Sequence, residues 1–411
     1  MRARITGLGA VSPLGLGMDE NWAKLTAGVS GISRIKSFDT SEFRVQIAGE
    51  IRDFDPAEFL PAVDARRFDS YASMAVVAAI QAVEQSGIDF SRTDPTRVSV
   101  VVGTGYGCTE ANTAAVRLLD SAGPSRFTPL PSIYSAQDVV AGYLSIRWGL
   151  RGEALCLSAA CASGTVAIGN AMRLISSGEA DVVIVIGADG AVTPRDLAVV
   201  SGARALTAHY NDSPTNASRP FDRERDGFVL SAGGAALVLE SAEHAARRGA
   251  NVAATLLGYG AATDAHHLSA PHPEGRGAVS AMSRALATAG LEPSDIDHVN
   301  AHGTSTKLND YVEARALQTV FGPTISETTV TSTKSMTGHM IGAAGTFEAA
   351  VAVMTMQNST VPPTINCTDL EFEFLNLVRD SAREQPITYA MSNSFGFGGH
   401  CASVVIGPAD A

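Results

Sequence analysis

At 411 residues, 45% of them hydrophobic and only 18% charged, the chain is too long for one small core and reads as two lobes or one large layered domain. Its 42 acidic against 30 basic residues, a net charge of −12, exclude general binding to nucleic acid or to an anionic membrane and leave only a local basic patch for an acidic partner. Five widely spaced cysteines without a CxxC pair (Cys108, Cys156, Cys161, Cys367, Cys401) argue against a disulfide framework, and the absence of a secretory signal or a bilayer-length apolar run predicts a soluble cytoplasmic protein.

Residues 4–11 read as a buried strand, with Gly7-Leu8-Gly9-Ala10 a tight turn toward Pro13 and Gly15 rather than a dinucleotide loop. Residues 19–27 read as a helix and 33–64 as irregular. Arg66-Arg67-Phe68-Asp69 opens a long helix to Gly87. A buried strand over 98–102 ends in Gly103-Thr104-Gly105-Tyr106-Gly107, a turn, since no Gly-Lys-Ser/Thr follows. A helix over 109–120, a Pro- and Ser-rich loop over 121–135 and a helix over 136–147 come next. Residues 153–158 predict a short buried strand, and 181–188 another. The glycine-rich stretch 202–234 is long enough to be a functional loop. Strand 235–240 and helix 241–248 complete a first half, residues 1–250. The second half, 251–411, repeats the theme: strands at 252–260, 296–301, 328–331, 387–393 and 401–406, helices at 277–289, 306–320 and 342–356. The alternation predicts α/β architecture with an internal duplication in element order.

Between strand 153–158 and the following helix lies Leu157-Ser158-Ala159-Ala160-Cys161-Ala162-Ser163-Gly164-Thr165. A thiol at a strand-to-helix turn, hemmed by small residues, is a nucleophile elbow, and unpaired N–H groups at a helix start favour the thiolate. Two imidazoles follow predicted strands in the second half: His302 in Asn300-Ala301-His302-Gly303-Thr304-Ser305-Thr306 and His339 in Lys334-Ser335-Met336-Thr337-Gly338-His339. Glu348 lies one turn into the next helix, where a buried pair with Lys334 would mark a site and an exposed pair would not. Asn393-Ser394-Phe395-Gly396-Phe397-Gly398-Gly399 sets large rings among flexible glycines, which suits a gate or an oxyanion site. One Cys, two His and one Lys in glycine-rich turns at strand ends point to thioester chemistry.

These motifs, with Arg219-Pro220-Phe221-Asp222 and Arg225-Asp226-Gly227-Phe228, resemble the β-ketoacyl-ACP synthases of the condensing-enzyme family over essentially the whole chain. Synthase II and the ketosynthases of type II polyketide systems are the most similar. The resemblance implies a thiolase fold, a five-layer αβαβα sandwich of two related halves, and usually a dimer. It implies Cys161 as acyl acceptor, His302 and His339 in decarboxylation and condensation, and Lys334 and Glu348 as organisers. Thr304 and Thr306 would line the phosphopantetheine channel, with Phe395 also on the substrate path. Phe397 would be the gate, its N–H joining that of Cys161 in the oxyanion hole, and Asp264 would belong to a loop facing it. Arg66 and Arg67 would dock the acyl carrier protein, which delivers phosphopantetheine; no permanently bound cofactor or metal is implied. The second subunit would be an identical chain or a chain-length factor.

The chain departs from the family pattern at Ser231-Ala232, where an acidic residue is usual, at His400-Cys401, and over 129–138, which favours a specialised polyketide or polyene role. The competing expectations are a non-catalytic chain-length partner and a degradative thiolase using Cys401. A metal site at His266, His267 and His272 lacks ligand spacing and reads as a solvated loop.

Overall fold

A computed structural model describes residues 2–411. Its main strands are β1 (Ala3–Ser12), β2 (Val98–Gly103), β3 (Ala154–Leu157), β4 (Val182–Asp189), β5 (Gly233–Ser241), β6 (Ala254–Thr263), β7 (His298–Asn300), β8 (Thr329–Thr331), β9 (Asn376–Leu377), β10 (Ala390–Gly396) and β11 (His400–Gly407). They follow one hydrogen-bonded path, β9-β8-β7-β10-β11-β6-β1-β5-β4-β2-β3, and Gly15–Leu16 adds a twelfth strand on β1. The seam between the halves is short: β1 and β6 pair antiparallel only at Ala3–Leu256, Arg4–Thr255 and Ile5–Ala254.

Beyond that seam, helices separate the two halves. They are α1 (Ser70–Ser86), α2 (Ser163–Ser176), α3 (Arg276–Ala289), α4 (Lys307–Phe321) and α5 (Ala344–Asn358). Helices α2 and α5 touch strands of both halves and each other, so they form the middle layer. Helix α5 is buried at every position from Ala344 to Thr355, as an apolar-all-round sequence demands. On the outer faces, α1 covers β1, β5 and β4, while α3 covers β6 and β11 and carries α4 against it. The result is the αβαβα sandwich that the resemblance implied.

Several local expectations are corrected. Gly7 and Gly9 do not turn the chain; β1 runs straight through them to Ser12. A Cβ at either would stand 2.0 Å from a carbonyl oxygen of α1, so these glycines let a helix lie close on the strand. Helix α1 begins at Ser70, where the Asp69 side chain caps the Tyr71 N–H, so Arg66 and Arg67 sit in an exposed turn before it. The segment 121–135 contains the helix Leu130–Tyr134 as well as loop. Strand β3 is not buried: it is the last strand of the path, and its residues are exposed or half-buried.

The parallel pairings decide where the functional loops emerge. Strands β2, β3 and β4 run parallel, as do β7, β8 and β10. The elbow after β3 and the loops after β7, β8 and β10 therefore leave from carboxyl ends, where α/β sheets open their crevices.

Candidate active site

Cys161 sits immediately before α2, behind Ala160, whose φ of 51° places a non-glycine residue in the left-handed region. Such a backbone is held by its surroundings and is typical of a sharp elbow. The Ser163 hydroxyl accepts the Ala159 N–H at 2.8 Å and stiffens the turn. The Cys161 sulfur is met by two backbone donors, its own N–H and that of Phe397. Burial pushes the thiol up to about 12, while the Lys334 charge and these donors pull the other way. Across the layers, the Thr165 and Ser394 hydroxyls meet at 2.8 Å and tie the start of α2 to β10.

The two imidazoles come together although 37 positions separate them in the chain: His302 and His339 pack edge to face with centroids 5.3 Å apart. Phe395 flanks His302 at 5.8 Å and Phe228 flanks His339 at 5.2 Å. Burial, then the Lys334 charge, hold both rings well below the ordinary histidine value, so they are neutral at pH 7. Nδ1 of His302 and both ring nitrogens of His339 have no partner. Buried polar atoms are normally satisfied, so these unpartnered nitrogens set the two imidazoles apart from structural histidines.

Lys334 and Glu348 form the buried alternative of the two weighed from sequence: Lys334 Nζ bonds Glu348 Oε1, with both side chains at most 2% exposed. Burial pushes the Glu348 carboxyl up to about 7 against the pull of Lys334. The ammonium of Lys334 acts electrostatically on Cys161, His302 and His339 alike, so the three remote segments converge on it.

Phe397 is 41% exposed, in a turn whose Gly398 and Gly399 have φ of 81° and 77°. That turn is latched to the loop after β6: Gly398 N–H donates to the Leu268 carbonyl at 2.7 Å, and Asp264 N–H donates to that of Gly399 at 2.9 Å. The Asp264 carboxylate in turn accepts the N–H groups of His272 and Gly277. Thr304 and Thr306 face each other, hydroxyl to hydroxyl, at 3.0 Å, and Thr306 caps α4. Arg66 and Arg67 lie outside this cluster, Arg67 resting over the Tyr134 ring at 5.7 Å. Cys401 is buried on β11, its thiol pushed up by burial and then by Asp264. Among the described residues no group of three His, Cys, Asp or Glu is placed to hold a metal ion.

Four functional supports were missed as individual residues. Glu313 accepts the N–H groups of His302 at 2.8 Å and Gly303 at 2.7 Å and so sets the histidine loop. Asp310 accepts the Phe221 N–H at 2.9 Å and pairs with Arg225, which donates to the Thr306 and Lys307 carbonyls at 3.1 Å each. The signal for the two acids was present, since they share the buried face of α4 with Val312, Ala314, Leu317 and Phe321. Asp189, directly after the apolar run of β4, is the fourth. At the departure Ser231-Ala232, Ala232 packs in an apolar cluster with Val11, Met74 and Val77.

The chain is similar to known proteins over nearly its whole length. The family described as beta-ketoacyl synthase, N-terminal domain matches residues 2–245, and its C-terminal domain counterpart matches residues 253–368. The 3-oxoacyl-[acyl-carrier-protein] synthase 2 of Coxiella burnetii is 41% identical over 98% of both chains, and that of Staphylococcus aureus strain MRSA252 is 40% identical over 98% of both. Among solved structures, the ishigamide ketosynthase/chain length factor superposes with a TM-score of 0.91 at 32% identity over 99% of both chains. A beta-ketoacyl synthase from Burkholderia phymatum STM815 gives 0.90 at 33%, also over 99% of both. A type II polyketide acyl-carrier protein in complex with its hexaketide-bound ketosynthase gives 0.91 at 28% over 99% of both. The chain belongs to the beta-ketoacyl synthase family and is a condensing enzyme of the acyltransferase class.

Proposed function

We propose that the chain is a β-ketoacyl-ACP synthase that condenses an acyl group held on Cys161 with malonyl-ACP, in type II polyketide, polyene or fatty-acid assembly, from two pseudo-duplicated halves, 1–250 and 251–411. The observation that carries this reading is the shared reach of Lys334 to Cys161, His302 and His339. Acyl transfer forms the Cys161 Sγ–acyl bond and releases the carrier thiol. The thioester oxyanion falls to the N–H groups of Cys161 and Phe397, which act in a site screened from water. The phosphopantetheine arm of malonyl-ACP then enters along the wall that carries the Thr304 and Thr306 hydroxyls. Its carboxylate leaves as carbon dioxide, and the electrons of the broken bond pass to the thioester carbonyl as an enolate. Neutral imidazoles of His302 and His339 can donate to that oxygen, and their unpartnered nitrogens await such an acceptor. The enolate carbon attacks the acyl carbonyl, and the Cys161 thiolate departs. Burial and the Lys334 charge keep the imidazoles neutral, Glu348 holds the Lys334 ammonium, Phe395 walls the path, and Phe397 with the Asp264 loop gates it.

Arg66 and Arg67 offer the acidic carrier a basic approach in a cytoplasmic setting. The carrier's phosphopantetheine is the substrate arm. The dimer, identical or with a chain-length factor, would form on the open side of β3, beside the exposed Val116, Leu119, Phe127, Leu130, Ile133 and Ile146.

The test is Cys161→Ala. After incubation with acyl-ACP, mass spectrometry of the parent shows an acyl adduct on Cys161; the variant shows none and does not elongate. Normal elongation by the variant overturns the assignment. A parent that never loads instead favours the non-catalytic chain-length partner.

A further inference from the structure

One fully buried carboxylate outside the Cys-His-His-Lys group gathers five donors. Asp189, at the end of β4, accepts the Thr104 hydroxyl and the N–H groups of Gly105 and Tyr106 at 2.8 Å each, and that of Gly107 at 3.2 Å. It also accepts the Gly342 N–H at 2.7 Å, from the turn between His339 and α5. One side chain therefore pins the loop after β2 to the turn that leads from His339 to the helix bearing Glu348. The packing leaves no slack. A Cβ on Gly342 would stand 2.6 Å from Asp189 Oδ2, and one on Gly105 would stand 2.6 Å from Ile341 Cγ2. Ile341 itself has a φ of 49°, a conformation that a β-branched residue adopts only under constraint. Ile341 lies in the apolar cluster that contains Cys161, with Tyr106 packed against that cluster.

We propose that Asp189 is a positioning residue of the condensing site: through its backbone donors it fixes Tyr106 and Ile341 against Cys161. This rests on the reading of Cys161 as acyl acceptor. Electrostatics agree, since Asp189 opposes the thiolate of Cys161 as Lys334 supports it.

Two variants separate geometry from charge. Asp189→Asn sets an amide N–H against backbone N–H donors and removes the charge. Thr104→Val removes one donor and keeps the charge. Both should load and elongate with kcat lowered about tenfold or more, as small misplacements at a reacting centre do. The pH midpoint for iodoacetamide alkylation of Cys161 should fall by about half a unit or more in Asp189→Asn alone, because a nearby anion is gone. Parent kcat and parent midpoint in a folded Asp189→Asn overturn the proposal. If Asp189→Asn does not fold, Thr104→Val decides: parent kcat there overturns the positioning role. Failure of the parent to load at all counts against the proposed function instead, and the alkylation midpoints remain readable.

Discussion

Two buried carboxylates, each paired with a cation, show how the same chemistry serves different ends. Glu240, on β5, is fully satisfied: it accepts from Thr6, from His244 Nδ1 at 2.5 Å and from Arg248 at 2.5 and 2.8 Å. Arg248 also donates to the Ser86 carbonyl, so the cluster locks helix Ala242–Arg248 onto the end of α1. Those partners hold the Glu240 carboxyl at about 2 despite its burial. Glu348 has one cation and one oxygen without a partner, and burial lifts it to about 7. Its partner Lys334 acts on two imidazoles with orphan nitrogens. A closed network stabilises a fold; an open one of similar composition stores interactions for a ligand.

The comparison breaks most sharply in activity. His302→Ala should cut malonyl-ACP decarboxylation by roughly 10²–10⁴-fold, the usual worth of a positioned proton donor, with little change in melting temperature. Loss of stability without loss of rate would place His302 with the structural residues. Conversely, Glu240→Ala leaves Arg248 without its buried partner and should cost about 3–5 kcal/mol in a denaturant titration, as such pairs do when one side is removed. Its kcat per folded molecule should match the parent, and a selective fall in kcat would erase the distinction.

The smallest and most discriminating effect is in pH. Glu240 is held below the ordinary carboxyl value, so its contribution is present above about pH 4.5 and is lost as pH falls toward 2. Glu348 is raised, so its contribution is full below about pH 4.5 and declines as pH rises through 7. Melting temperature recorded from pH 3 to 8 should therefore lose its acid slope in Glu240→Gln and its slope above pH 4.5 in Glu348→Gln. Parallel curves for both variants would show that the two carboxylates do not differ as described.

Much of this was readable one segment at a time. The Val/Ile runs of β2 and β4, the small residues around Cys161 and the glycines after Phe395 each carry a local physical meaning. Other features depend on neighbours far away in sequence. Nothing local distinguishes Gly7 and Gly9 as contacts with α1 from glycines of a turn. An apolar β3 reads as interior although it ends the sheet. Asp189 follows a strand like any loop acid, and its donors come from residues more than 80 positions before it and more than 150 after it.

The sequence by itself determined the alternation of strands and helices, the order of the motif-bearing turns and the identity of the reacting groups, because periodicity and side-chain chemistry are local properties. Tertiary structure decided which carboxylates are satisfied, which imidazoles stay neutral and which strand is left at the edge. Each of those depends on desolvation and on charges that only folding brings within a few ångströms.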